Sequence, residues 1–172
     1  MSVTKVSSAM QEHTDVRGTI GGLTLTNDGT DADHDIGIAV GFARDYTDTA
    51  TMSLTGSLIK RIDATWAVGT NAGGLDSTDT VAANTGYGVY LIRRSDTGVV
   101  DVLMSSDMTS AGSALTMPTN YDQKRLIGWV RTNGSSNIIA FIQSGNYFRL
   151  TGDIVSDVAD AWEGNTDDTF CV

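Results

Sequence analysis

A chain of 172 residues with a net charge of −10 and one cysteine is long enough for a single domain with a hydrophobic core of its own. The lone Cys171 excludes an intrachain disulfide framework, and the acidic balance repels phosphate backbones, so nucleic acid is not an expected partner. No run of 18 apolar residues occurs to span a membrane, and the opening MSVTKVSSAMQEH lacks the apolar centre of a signal peptide, so the chain reads as soluble and made in the cytoplasm.

Composition favours strands joined by turns. All but Glu12 and Glu163 of the 21 acidic residues are aspartate, and lysine occurs only at Lys5, Lys60 and Lys124. Glu and Lys favour helices, whereas an aspartate carboxylate bonds nearby backbone N–H groups and so favours caps and turns. Residues 1–18 mix small and polar types and read as an N-terminal arm, with Val6 and Met10 able to line one side of a short helix. Residues 20–26 alternate weakly through Leu23 and Leu25 and predict a strand; NDGTDADHD (27–35) predicts a turn. In DIGIAVGFARD, Ile36, Ile38, Val40 and Phe42 stand at strict period two, which predicts one strand with one apolar face over 35–43.

Residues 51–62 begin as a strand, but Leu58, Ile62 and Trp66 also have a helical spacing of four, so both readings stay open. GTNAGGLDSTD (69–79) reads as a loop. YGVYLIRRSDTGVVDVLMS (87–105) reads as a hairpin around Ser-Asp-Thr-Gly, with Val89 and Leu91 on one face and Tyr90, Ile92 and Arg94 on the other. Arg93 and Arg94 then point to opposite faces and cannot clamp one anion together; one is expected to be solvated and the other to pair across the strands with Asp96 or Asp101. After a polar connection holding Pro118, RLIGWVR, the turn TNGSSN and IIAFIQ predict a second hairpin, with Leu126 and Val130 opposite Ile127 and Trp129. Residues 147–150 predict another strand, and residues 153–172 a C-terminal tail of ambiguous structure. About eight short strands over residues 19–152 predict an all-β domain, a β-sandwich or jelly-roll-like partly closed barrel.

Chemistry is sparse. Asp28, Asp31, Asp33 and Asp35 surround His34, but their spacing departs from that of a calcium loop, and a turn rich in Asx residues is the stronger reading. Two histidines and one terminal cysteine fall short of a closed zinc site. A serine triad would need His13, in the arm, or His34, in a turn, as its base, and no G-x-S-x-G elbow is present. No catalytic, cofactor-binding or metal-binding residue is assigned. Trp66 and Trp162, near loops, are the candidates for surface contact with carbohydrate or a partner, whereas Trp129 lies within a strand pattern and reads as core.

Three segments taken together carry a resemblance: WAVGTNAGGLDS (66–77), the hairpin of 87–105, and MPTNYDQKRLIGWVRTNGSSNIIAFIQSGNYFRL (117–150). Over residues 20–152 the chain resembles a module of tailed-bacteriophage virion proteins of the tail-fibre or tail-tip type, and the opening KVSSAM resembles the attachment arm of fibre-type proteins. The resemblance implies a β-rich, non-enzymatic component of the virion that assembles symmetrically, as a homotrimer, without a cofactor. Its implied partners are other copies of itself, other virion proteins through the arm, and a host-surface glycan or protein. A capsid decoration or head-fibre protein is the alternative, and a carbohydrate-binding or polysaccharide-degrading module a second one. Strands 35–43 and 138–142 are apolar or small on both faces, which leaves apolar area for contact between copies.

Overall fold

The computed structural model describes residues 18–151 and the backbone of residues 169–171. The expected arm therefore lies outside the described residues except for Gly18, as do residues 152–168 of the expected tail. The described residues form thirteen short strands and no helix, so the fold is all-β.

The architecture starts from one long bent hairpin. β1 (Ile20–Gly22) and β2 (Leu25–Asn27) make its first arm, and β3 (Asp35–Ile38) and β4 (Gly41–Arg44) its return. The pairs Leu25–Ile38 and Gly22–Gly41 belong to two different sheets, and the bonds from Ala39 N–H to Thr24 O and from Leu23 N–H to Val40 O carry the chain across the corner between them. Leu23 takes a φ of 56° to make the bend. Gly41 fits only because it lacks a side chain: a Cβ there would lie 2.4 Å from Gly21 O and from Leu23 N. The single strand expected over 35–43 is thus two strands with a change of face. Ile36 and Ile38 are buried, but Val40 is 53% and Phe42 38% exposed, and Ala43 takes the core position instead.

β4 then pairs with β5 (Thr51–Leu54) to complete a small sheet of order β1-β4-β5. β6 (Leu58–Thr65) follows directly, so the helical alternative for 58–66 is not adopted. The loop expected at 69–79 contains a strand, β7 (Ala72–Leu75), which lies parallel to β6 with Lys60 opposite Ala72. Its glycines hid it from pattern reading, since glycine ordinarily weakens a strand. Here they are needed for close approach: a Cβ on Gly73 would lie 2.0 Å from Thr65 O.

β8 (Gly86–Arg93) and β9 (Val100–Ser105) form the expected hairpin, with Tyr90 opposite Leu103 and Leu91 opposite Val102. Both faces of it are covered. Tyr87, Val89, Leu91, Val102 and Met104 join the main core, while Tyr90, Ile92 and Leu103 form a second cluster with Tyr121 beneath Trp66, Leu115 and Met117. β10 (Gln123–Arg131) pairs with β8 and bulges at Ile127, between the Leu126–Tyr90 and Gly128–Val89 pairs. The bulge breaks the expected alternation, because an extra residue reverses the faces beyond it. Ile127, Trp129 and Val130 all enter the main core, whereas Leu126 packs on the second cluster.

The second expected hairpin exists only at its base. A single bridge pairs Thr132 with Ile138, and the chain then departs to form β11 (Phe141–Ser144), which pairs with β12 (Tyr147–Leu150). β13 (Thr169–Cys171) adds a third strand beside β12. The seven-stranded sheet has the order β10-β8-β9-β7-β6-β3-β2 and curls into a nearly closed barrel. Its gap is spanned by residues 138–143. Ile138 N–H bonds Asp33 O at 2.7 Å, Phe141 N–H bonds Asn27 Oδ1 at 3.1 Å, and Leu25 N–H bonds Gln143 Oε1 at 2.6 Å. Side-chain amides, not a backbone ladder, join β2 to β11. The core inside this wall includes Leu25, Ile36, Ile38, Met52, Ile62, Val89 and Phe148, all essentially solvent-free.

Candidate functional site

The aspartates of 28–35 shape their own turn. Asp28 Oδ2 accepts the N–H groups of Thr30 and Asp31, and Asp31 faces His34 Nδ1 at 3.1 Å while also accepting the His34 N–H. Asp35 pairs loosely with Arg61 at 4.0 Å. Burial raises the Asp35 carboxyl above its ordinary value, and the nearby Asp31 charge adds to the effect. Among the described residues no three His, Cys, Asp or Glu side chains converge to hold a metal ion.

Other aspartates do the same work. Asp45, on the turn after β4, is almost solvent-free and accepts N–H groups from Thr47, Thr49 and Ala50. Burial works to raise its carboxyl, but the Thr47 hydroxyl and those N–H groups outweigh it and leave it below the ordinary value. Asp76 bonds Thr78 N–H and Thr116 N–H, and Asp79 bonds Ser105 and Ser106, so two carboxylates tie the 106–122 connection down over the outer face of β8 and β9.

Trp66 stands at the end of β6, half-buried. Its indole N–H donates to Val102 O at 3.1 Å, its ring meets Tyr121 edge-on at 5.2 Å, and the Lys60 ammonium lies 5.4 Å from its centroid. Trp66 is therefore largely engaged within the molecule. Trp162, the other candidate, lies outside the described residues, as does His13.

Beneath Trp66 is a centre that period-two reading passed over. Lys60 and Asp101 are 0% and 1% exposed, with Nζ 2.8 Å from Oδ1. Lys60 opposes Ala72, and Leu75 opposes Met104, so Lys60, Ala72 and Asp101 lie nearly level across three adjacent strands. Small residues at 72–74 let the lysine cross β7. The same ammonium donates to Ala67 O at 2.7 Å, Gly69 O at 3.0 Å and Gly73 O at 3.4 Å. Asp101 in turn accepts the N–H groups of Gly69 and Val102. Burial pulls the Lys60 ammonium below the usual lysine value, and the bond and charge of Asp101 oppose that pull. Fully buried and with its donors engaged on Asp101 and three carbonyls, Lys60 holds the 66–73 connection closed around itself. A lysine in the buried phase of Leu58, Lys60 and Ile62 was the available signal, since an unpaired ammonium is almost never fully buried. Of the two alternative partners expected for an arginine, Asp96 takes Arg94, at 2.7 Å, and Asp101 pairs with Lys60.

The surface carries grouped apolar side chains. Val40 lies in the bend before β4 and Phe42 on β4, the middle strand of its sheet, and the Phe42 ring covers Gly21. On β11 and β12, the pairs Ile142–Arg149 and Ser144–Tyr147 place these four residues on one face, where Ile142 is 57% and Tyr147 56% exposed. Among the described residues no helix is long and apolar enough to cross a membrane. Comparison of the chain with protein-family models, with curated proteins and with solved structures gave no match.

Proposed function

We propose that this chain is a non-enzymatic structural protein of a tailed-bacteriophage virion, a tail-fibre or baseplate component that assembles as a symmetric homo-oligomer. The resemblance of residues 20–152 supports the virion assignment. The observation that carries the assembly reading is the outward face of β11 and β12. Ile142 and Tyr147 are both more than half exposed there, and among the described residues of β11 and β12 the face they share with Ser144 and Arg149 carries no acid. Copies of a chain with net charge −10 repel one another at long range, so a surface with few unpaired carboxylates is favoured for their contact. Grouped apolar residues on such a face favour burial against another copy over exposure.

Two measurements test this reading. Peptides of the chain should be found in purified phage particles, and a density map of the particle should place the barrel around a symmetry axis. Light scattering of the purified protein should give a mass that is a multiple of the 18.2 kDa chain. A strictly monomeric protein that is also absent from particles would defeat the proposal.

A further inference from the structure

An amine and a carboxyl sealed together inside a β-sheet are potential reactants as well as an ion pair. Lys60 Nζ lies 2.8 Å from Asp101 Oδ1, and the two side chains are 0% and 1% exposed. Burial this deep penalises both charges and narrows the gap between the ion pair and its neutral form, amine plus acid. It already pulls the Lys60 ammonium below the usual lysine value. The glycines of β7 bring the two strands within reach of each other: a Cβ on Gly74 would lie 3.0 Å from Lys60 Cβ and 2.6 Å from Met104 Cε.

The contacts around the pair suit attack of the nitrogen on the carboxyl carbon. Lys60 Nζ donates to Ala67 O and Gly69 O at 2.7 and 3.0 Å, with Gly73 O farther away at 3.4 Å. Once the proton on the 2.8 Å contact has moved to Oδ1, the two shorter bonds hold the remaining N–H groups and leave the nitrogen lone pair facing the carboxyl. Backbone donors hold both oxygens of Asp101: Val102 N–H on Oδ1 at 2.6 Å and Gly69 N–H on Oδ2 at 2.8 Å. N–H groups fixed in advance stabilise the negative oxygen that forms when such a carbon is attacked. Reactants held in contact also escape the entropy cost of meeting.

We propose that Lys60 and Asp101 condense into an intramolecular amide, a covalent rung from β6 to β9 across β7. The Nζ–Cγ bond forms and one Cγ–O bond breaks. The departing oxygen keeps the proton already transferred, takes one more from Nζ and leaves as water; the last N–H stays on Ala67 O. One positive and one negative charge vanish together, so the net charge of the chain is unchanged and no further reactant is consumed. The rung falls where the ladder is thin: β7 pairs with β9 at Leu75–Met104, and the β6–β7 register breaks between Arg61 and Thr65. It closes the loop from Lys60 to Asp101 in the unfolded chain as well as the folded one, which is how a cross-link stabilises. The ion pair is the state in which the chain first folds, and the amide forms afterwards. This modification is independent of the virion reading.

The test follows the intact mass of the full chain, folded, stored, and denatured only for the measurement. The chain should be, or become, one water lighter than its sequence mass. Proteolysis and fragmentation should then yield a branched peptide that joins Lys60 to Asp101. Lys60→Arg and Asp101→Ala should both keep the full mass; where either fails to fold, the branched peptide of the unaltered chain decides alone. Chain held unfolded in denaturant from the start should lose no water. A folded chain that stays at its sequence mass overturns the proposal, as does equal loss of water in denaturant. Ring closure at Asp28–Gly29, where Gly29 stands in open space, would remove the same mass, and a loss mapped there overturns it too.

Discussion

Lys60 is the residue on which the most depends. Removing Asp101 strands its ammonium among carbonyls with no counter-charge, and breaking a buried pair in this way costs about 3–5 kcal/mol. Asp101→Ala should therefore lower the unfolding free energy by that amount in denaturant titrations, and a loss below about 1 kcal/mol would show the pair to be dispensable. Lys60→Met combined with Asp101→Leu should recover part of the loss, but not all, because Ala67, Gly69 and Gly73 lose a donor. The turn aspartates govern behaviour in acid. The carboxyls of Asp45, Asp79 and Asp107 lie below the ordinary value; in each, burial raises the carboxyl and hydrogen bonds to neighbouring residues more than offset it. A depressed carboxyl contributes stability that is present above its unfolded value and lost as pH falls through its folded one. Asp35, raised, acts with the opposite sign, its contribution fading as pH rises through its folded value. Three depressed groups outnumber it, so the melting temperature should fall below about pH 4, and Asp45→Asn should flatten that dependence. A melting temperature constant from pH 6 to pH 3 would contradict this. The aspartate excess was legible in the sequence as turn chemistry. The Lys60 centre was legible only in part: the lysine falls in the buried phase of β6, but the 66–73 connection makes its acceptors from backbone carbonyls that any residue supplies.

At the scale of elements, alternation gave the β8–β9 hairpin with its faces in order, and it failed wherever the chain turned a corner. The Ile36, Ile38, Val40, Phe42 series keeps its period through residue 42, yet the bend at 39–41 hands the strand to another sheet, so the same period ends at the surface. Nothing in side-chain type marks that bend except Gly41 and the paired Gly21-Gly22. Gly41→Ala should cost about 2 kcal/mol or more, since both atoms it would strike are backbone and cannot move aside. Gly56→Ala, where a Cβ meets nothing within 4 Å, should stay within about 0.5 kcal/mol, and the two together form an internally controlled pair for thermal melts. The β6–β7 parallel pair was invisible for the converse reason: its glycines look like a loop and serve as clearance for Lys60.

For the whole molecule, fold class was readable and closure was not. Many short strands and turn residues predicted an all-β barrel or sandwich, but which strands meet across the gap depends on contacts distant in sequence, such as Leu25 with Gln143. The docking reading belongs to this scale too. Ile142→Lys and Tyr147→Lys together should leave the monomer folded, because both side chains are already more than half in solvent, and should shift the light-scattering mass toward 18.2 kDa. An unchanged multimer would place the contact elsewhere on the surface. The amide-laced junction of β2 with β11 bears on how the molecule comes apart. A cylinder sewn shut by Asn27 and Gln143 has a weakest meridian, and it can be unfastened there without tearing any strand from its ladder. Deuterium should enter the amides of Leu25 and Phe141 well before those of Leu91 and Val102, so that the β11–β12 flap lifts while the opposite wall stays shut.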